Sequence, residues 1–178
     1  MIAYKGFEKG LVCRGYQFEQ GKTSKTDAAN CAQNGFHAAE NPLVTFSYYP
    51  DIRSSEYWMV RCSGDMHEDG VDSKISCTEL TPIRRLTLPE MAAAALIYIQ
   101  KHPSRYLFGS RNYYENKAFK LAKGENPILF GSFAQWLGFA EEKNGAVERI
   151  NLIFIDNKRY KENIRYSIDG FPVGKEIL

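Results

Sequence analysis

The sequence predicts an α+β fold with a β-rich amino-terminal half, a capped central helix and a carboxy-terminal antiparallel β meander. Three observations carry this prediction. Tyr16 and Phe18 alternate with Gln17 and Glu19, the period of two expected of a half-buried strand. Thr87-Leu88-Pro89-Glu90 has the form of a capping box ahead of an alanine-rich stretch. Asn144-Gly145 stands between two apolar runs, where a two-residue hairpin needs positive φ at both positions. The chain is read as three consecutive parts: a β-rich domain over 1–82, a helical segment over 83–127, and a β segment over 128–178 that packs on the same core.

Ile2 to Phe7 and Leu11 to Glu19 are expected to be strands joined at Glu8-Lys9-Gly10. Lys22 to Asn34 is polar and reads as loop, with room for a short helix at 27–33. Phe36 to Ala39 is a short strand, Asn41-Pro42 ends it, and Leu43 to Tyr49 fits a short helix before Pro50. Tyr57 to Cys62 and Lys74 to Leu80 are strands on either side of an acidic loop over 64–72. The helix after Thr87 runs to about His102, where Lys101 and His102 suit the negative end of its dipole and Pro103 stops it. Tyr113 to Lys123 reads as a second helix closed by Gly124. Strand pattern returns over 133–143 and 146–156, with further turns at Asp156-Asn157 and Asp169-Gly170.

Composition excludes several classes. The 178 residues are 44% hydrophobic, 25% charged and 13% aromatic, which fits a folded domain and no disordered or low-complexity scaffold. A net charge of +2 lacks the basic footprint of sequence-independent nucleic-acid binding, and Arg84-Arg85 with Lys117, Lys120 and Lys123 reads as solvated surface. The longest apolar run, Met91 to Ile99, is too short for a bilayer. Met1 to Gly6 lacks the apolar stretch of a secretion signal, so a cytoplasmic location and no membrane partner are expected. Cys13, Cys31, Cys62 and Cys77 form no C-x-x-C pair, and buried thiols are expected.

Motifs with chemical meaning are sparse. Gly21-Lys22-Thr23 resembles the end of a phosphate loop, but Tyr16 stands where the first glycine belongs. Asp65, His67, Asp69, Gly70 and Asp72 have the oxygen density of a calcium loop, but Ser76 replaces its bidentate glutamate. A solvated acidic hairpin loop is the simpler reading, and no metal is expected. Cys13 beside Arg14, and Cys31 shortly before His37, are thiols that a neighbouring cation would activate. The densest segment is Gly35 to Leu43, in which His37, Glu40 and Asn41 are hemmed by aromatics. Such a cluster lines a pocket or forms a strand-to-helix corner.

These residues resemble an uncharacterised domain family common in bacteriophage and prophage genes. The resemblance lies in Tyr4-Lys5-Gly6-Phe7, Cys13-Arg14-Gly15-x-Gln17-Phe18-Glu19-x-Gly21-Lys22-Thr23, Cys31, the Gly35 to Leu43 segment and Tyr48-Tyr49. A similar tail places Trp136, Asn144-Gly145, Ile155-Asp156, Lys158, Tyr166 and Gly170. Relatives often carry a cysteine where Ala39 stands, and the stretch from Pro82 to Leu129 departs from the family's small-residue repeats. The resemblance implies a phage setting and no particular reaction.

The expected function is that of a phage-encoded accessory protein that binds a host or defence protein as an inhibitor, without a cofactor. The 11 Tyr and 11 Phe supply anchors for such an interface. The alternative is an ADP-ribosyltransferase-like protein that binds NAD. Its split β core is resembled by the order of the Tyr-Lys-Gly strand, the Gly-Phe-His-Ala-Ala segment, the helix ending in Tyr48-Tyr49 and the following strand. On that analogy the catalytic candidates are His37, Glu40 and Glu79, and the candidates for holding NAD are Tyr4, Gly6, Arg14, Tyr48 and Tyr49. Tyr4 or Lys5 replaces the analogue's first histidine or arginine. Without a well-placed carboxylate to steady an oxocarbenium ion, transfer would be impaired while NAD still bound.

Overall fold

The computed structural model describes residues 1–30, 33–68 and 73–174, and the chain divides into two units, Met1–Thr87 and Leu88–Leu178. The α+β class is borne out, with β structure dominant and one long helix.

Unit 1 contains β1 (Ile2–Glu8), β2 (Val12–Cys13), β3 (Tyr16–Gln17), β4 (Ser24–Lys25), β5 (Phe36–Ala39), α1 (Thr45–Tyr48), β6 (Ser55–Glu68) and β7 (Lys74–Leu86). A 3-10 turn over Pro42–Val44 leads into α1, and the Asn41 side chain caps it by accepting the Leu43 N–H. β1 pairs with β5 and β6, and β7 pairs with the same two strands, so the four close a circuit, all antiparallel. Inside it Ala3, Phe7, Trp58, Val60, Ile75 and Leu80 form a buried core, where burial of large side chains stabilises by roughly 1.5–3 kcal/mol each.

The long strands β6 and β7 must bend to close this circuit, and the register slips between Ser63 and Met66. Gly64 lies in that bulge at φ 73°, and a Cβ there would meet Thr78 Oγ1. The bulge carries β6 through Glu68, so most of the expected acidic loop is strand. Asp69, Gly70 and Asp72 of the candidate calcium loop, and Cys31, lie outside the described residues. The single strand expected over 11–19 is two short strands, because Arg14 (φ 50°) and Gly15 (φ 77°) reverse the chain between them. No helix occurs among the described residues of 27–33.

Unit 2 contains α2 (Leu88–Lys101), β8 (Tyr113–Glu115), β9 (Phe119–Gly124), β10 (Trp136–Lys143) and β11 (Ala146–Phe154). α2 begins right after Thr87 and buries Met91, Ala92, Ala95, Leu96 and Ile99. It packs on β9, β10 and β11. Asn144 (φ 52°) and Gly145 (φ 79°) make the expected hairpin between β10 and β11. The sheet order is β11-β10-β9-β8; its outer pairs are antiparallel and its central pair, β9 with β10, is parallel.

The helix expected over 113–123 is instead the β8–β9 hairpin. The Asn116 side chain accepts the N–H groups of Ala118 (2.8 Å) and Phe119 (2.9 Å), a side-chain turn that reverses the chain. Phe119, Leu121, Ala122 and Lys123 are then buried. The segment 83–127 is thus helical only in α2. Beyond β11 the chain is held by isolated bridges of Tyr166 to Leu129 and Pro172. Among the described residues no helix is long and apolar enough to cross a membrane.

Candidate functional site

The site begins with the alternation of β1. Met1 and Cys62 exchange main-chain hydrogen bonds of 2.8 and 2.9 Å, so Ala3, Lys5 and Phe7 direct their main-chain groups towards β6. Tyr4, Gly6 and Glu8 direct theirs towards the opposite edge. There Tyr4 stands opposite Ala39 of β5, and Glu8 opposite Val12 of β2. Gly6 lies between them with no residue of either strand in register. The sheet therefore splits at Gly6, and one amide N–H and one carbonyl of the main chain face the gap.

A cleft of about 530 Å³ occupies this gap, lined by β1, the β2–β3 hairpin, β5, and the Tyr48-Tyr49 end of α1. Gly6 is required at the split. A Cβ there would stand 2.4 Å from Cδ2 of Tyr49, whose ring covers this face of the strand. The Tyr49 hydroxyl donates to Cys13 Sγ at 3.2 Å, tying α1 to β2 across the opening. Burial, followed by that contact with Cys13, pushes the Tyr49 hydroxyl well above the ordinary phenol range. Tyr48 is half exposed at the rim, and Lys74 Nζ sits 5.0 Å over its ring.

Lys5 shares the inward phase of β1 with Ala3 and Phe7, and its residue is 6% exposed. Its ammonium donates to the His37 carbonyl of β5 at 2.8 Å and lies 5.2 Å from the Phe7 ring centre. Burial lowers its pKa, and the neighbouring Cys13, Cys62 and Cys77 thiols oppose that shift. No carboxylate pairs with Lys5 among the described residues. His37 Nε2 is buried and has no hydrogen-bond partner among the described residues. Burial and then the charges of Lys74, Lys5 and Arg14 lower the His37 pKa, so its ring is neutral at pH 7.

The cleft gathers Tyr4, Gly6, Arg14, Tyr48 and Tyr49, the five residues singled out for holding NAD, together with His37. Glu40 and Glu79 do not line it. Glu40 donates its N–H to Ser73 O, and Glu79 faces Lys25 at 2.8 Å and Ser63 at 3.0 Å. Hydrogen bonds from Lys25 and Ser63 hold the Glu79 carboxyl below the usual range. Glu8 is the carboxylate that lines the cleft, against the cations Lys5, Arg14 and Lys74. The arrangement can therefore bind a flat, anionic ligand: tyrosine faces stack, the Gly6 edge offers a donor and an acceptor, and the cations meet negative charge.

Lys5, Glu8 and Lys74 are residues of the site that escape the sequence reading. Lys5 carries a signal, a lone charge on the inward phase of an apolar strand. Lys74 carries none, since it reaches the cleft only because β7 pairs with β5, with Ala39 opposite Lys74. Cys62 and Cys77 are buried free thiols, while Cys13 is a partly exposed one on the cleft wall. Among the described residues no group of His, Cys, Asp and Glu is placed to hold a metal.

No curated protein and no solved structure matches this chain. The family model described as Domain of unknown function (DUF7666) matches residues 1–94, which span all of unit 1 and the first half of α2. The split sheet and its cleft lie wholly inside that match, and the chain belongs to the DUF7666 family.

Proposed function

We propose that unit 1 is a nucleotide-binding module whose cleft takes a dinucleotide of the NAD class. The observation that carries this reading is the split at Gly6, which leaves a paired donor and acceptor of the main chain facing a tyrosine-walled, cationic cleft. A nicotinamide ring bears a carboxamide that matches such a pair, and its flat face suits the tyrosines. The diphosphate finds its counter-charge in Arg14, Lys5 and Lys74. The resemblance to the ADP-ribosyltransferase split core supports the same ligand. Glu79 faces Lys25, so the reading concerns binding and assigns no transfer step. Calorimetric titration with NAD and with nicotinamide tests it. Saturable binding of both, weakened by Gly6→Ala, is expected; silence from the wild-type protein at millimolar NAD overturns it.

A second reading concerns a protein partner, and exposed aromatics of unit 2 favour it: Tyr106 is 60%, Phe133 59% and Phe171 70% exposed. On this reading the protein is a phage-encoded accessory factor that acts in the cytoplasm of a bacterial host by binding a host or defence protein. Affinity capture from bacterial lysate tests it. A single partner lost on replacing these three rings with alanine is expected, and capture that ignores the replacement contradicts it.

A further inference from the structure

We propose that Lys5 is the anion receptor of the unit 1 cleft, a buried ammonium to which the ligand brings the counter-ion, in the form of a phosphate-type oxyanion. The inference rests on the nucleotide reading of that cleft and specifies which residue recognises the charge. Its basis is an imbalance in the buried groups. A lysine removed from water is strongly disfavoured unless it is paired or coordinated. Lys5 is 6% exposed, donates to one neutral carbonyl, that of His37, and lies against the rings of Phe7 and Phe18. Its nearest titratable neighbours are thiols, among them Cys13 across the gap on β2. An ammonium has three donors. The His37 carbonyl takes one, which leaves donor capacity for a ligand oxygen.

Position adds to this. The Lys5 side chain reaches from β1 to the His37 carbonyl on β5 and lies beside Cys13 on β2, so the amine stands where the sheet divides. Arg14 and Lys74 line the same cleft, and their charges, with that of Lys5, act together on His37. The unpartnered His37 Nε2 sits within the same cationic surroundings. Burial also holds the Lys5 ammonium below the ordinary lysine range, the effect expected of a cation with no counter-ion among the described residues. An incoming oxyanion would reverse that effect.

The inference predicts an unusual pairing of outcomes, because removing an uncompensated buried charge stabilises a fold while removing a receptor abolishes binding. The full chain and its Lys5→Met and Lys5→Gln variants are titrated calorimetrically with inorganic pyrophosphate, NAD and nicotinamide, and their thermal unfolding is followed. Expected are a loss of about 10- to 100-fold in affinity for pyrophosphate and NAD in both variants. Nicotinamide affinity should stay unchanged, and the Lys5→Met midpoint should rise by on the order of 2–8 °C. The proposal is overturned if pyrophosphate fails to bind the wild-type protein, if it binds wild type and variants alike, or if both variants melt below wild type. Lys5-dependent pyrophosphate binding with silent nicotinamide would support the receptor while removing the dinucleotide reading.

Discussion

Among the described residues each unit buries one lysine in its sheet, and the two are held in opposite ways. Lys123 of β9, its side chain fully buried, donates to the carbonyls of Pro103 (2.7 Å) and Arg105 (3.2 Å) and has Glu142 Oε2 at 3.6 Å. Its neighbours use its donors and match its charge, so it pins the chain after α2 to the sheet. Lys5 of β1 has one carbonyl, aromatic faces and thiols and, among the described residues, no carboxylate. Burial lowers the pKa of both, but only at Lys123 does a carboxylate oppose the shift. The contrast teaches that burial alone does not mark a functional lysine; the missing counter-ion does.

The largest expected effect tests this contrast directly. Lys123→Met strands two carbonyls and the Glu142 carboxylate, and should destabilise unit 2 by about 3 kcal/mol in chemical denaturation. Lys5→Met should move unit 1 the other way, by on the order of 1–4 kcal/mol. Equal destabilisation by both would erase the distinction. Gly6→Ala comes next. Its Cβ would stand 2.4 Å from Tyr49, so the ring must leave the strand, at a cost of about 1–3 kcal/mol and with loss of NAD binding.

A smaller effect is expected with pH. Below its folded pKa, Lys5 is protonated in both states and its burial penalty is fully present. Between that lowered value and the ordinary lysine pKa the unfolded chain holds the extra proton, so unit 1 gains stability as pH rises through this window. Lys5→Met should remove that gain, as measured by the difference between the two pH profiles. His37 behaves alike at lower pH. Acidification from its ordinary value of 6.5 towards its lowered folded value costs unit 1 stability, and His37→Gln should flatten that slope. The smallest effect is that of Glu79→Gln. It removes a surface pair with Lys25 and should leave both stability and NAD affinity essentially unchanged. A collapse of NAD affinity in this variant would return Glu79 to the site.

Local chemistry made much of this legible in advance. The Asn144-Gly145 hairpin, the helix beginning after Thr87 and the corner at Asn41-Pro42 are set by residues next to one another, and each lies where the sequence places it. The 113–123 segment misled because its helix-compatible spacing hides a turn made by one side chain, that of Asn116. The parallel pairing of β9 with β10 and the closed circuit of β1, β5, β7 and β6 depend on contacts far apart in sequence. The candidate site divides in the same way. Tyr4, Gly6, Arg14, His37, Tyr48 and Tyr49 were accessible through motif order, and the cleft gathers them. Lys74 enters through strand register, and Glu79 leaves because β7 turns it towards Lys25 and Ser63.

The most direct test of the central claim is to map NAD onto the isotope-labelled full chain by amide chemical shifts. The account predicts saturable perturbations centred on Gly6, with Lys5, Arg14, His37 and Tyr49, and a quiet unit 2. Perturbations centred on unit 2, or none at millimolar NAD, would contradict it.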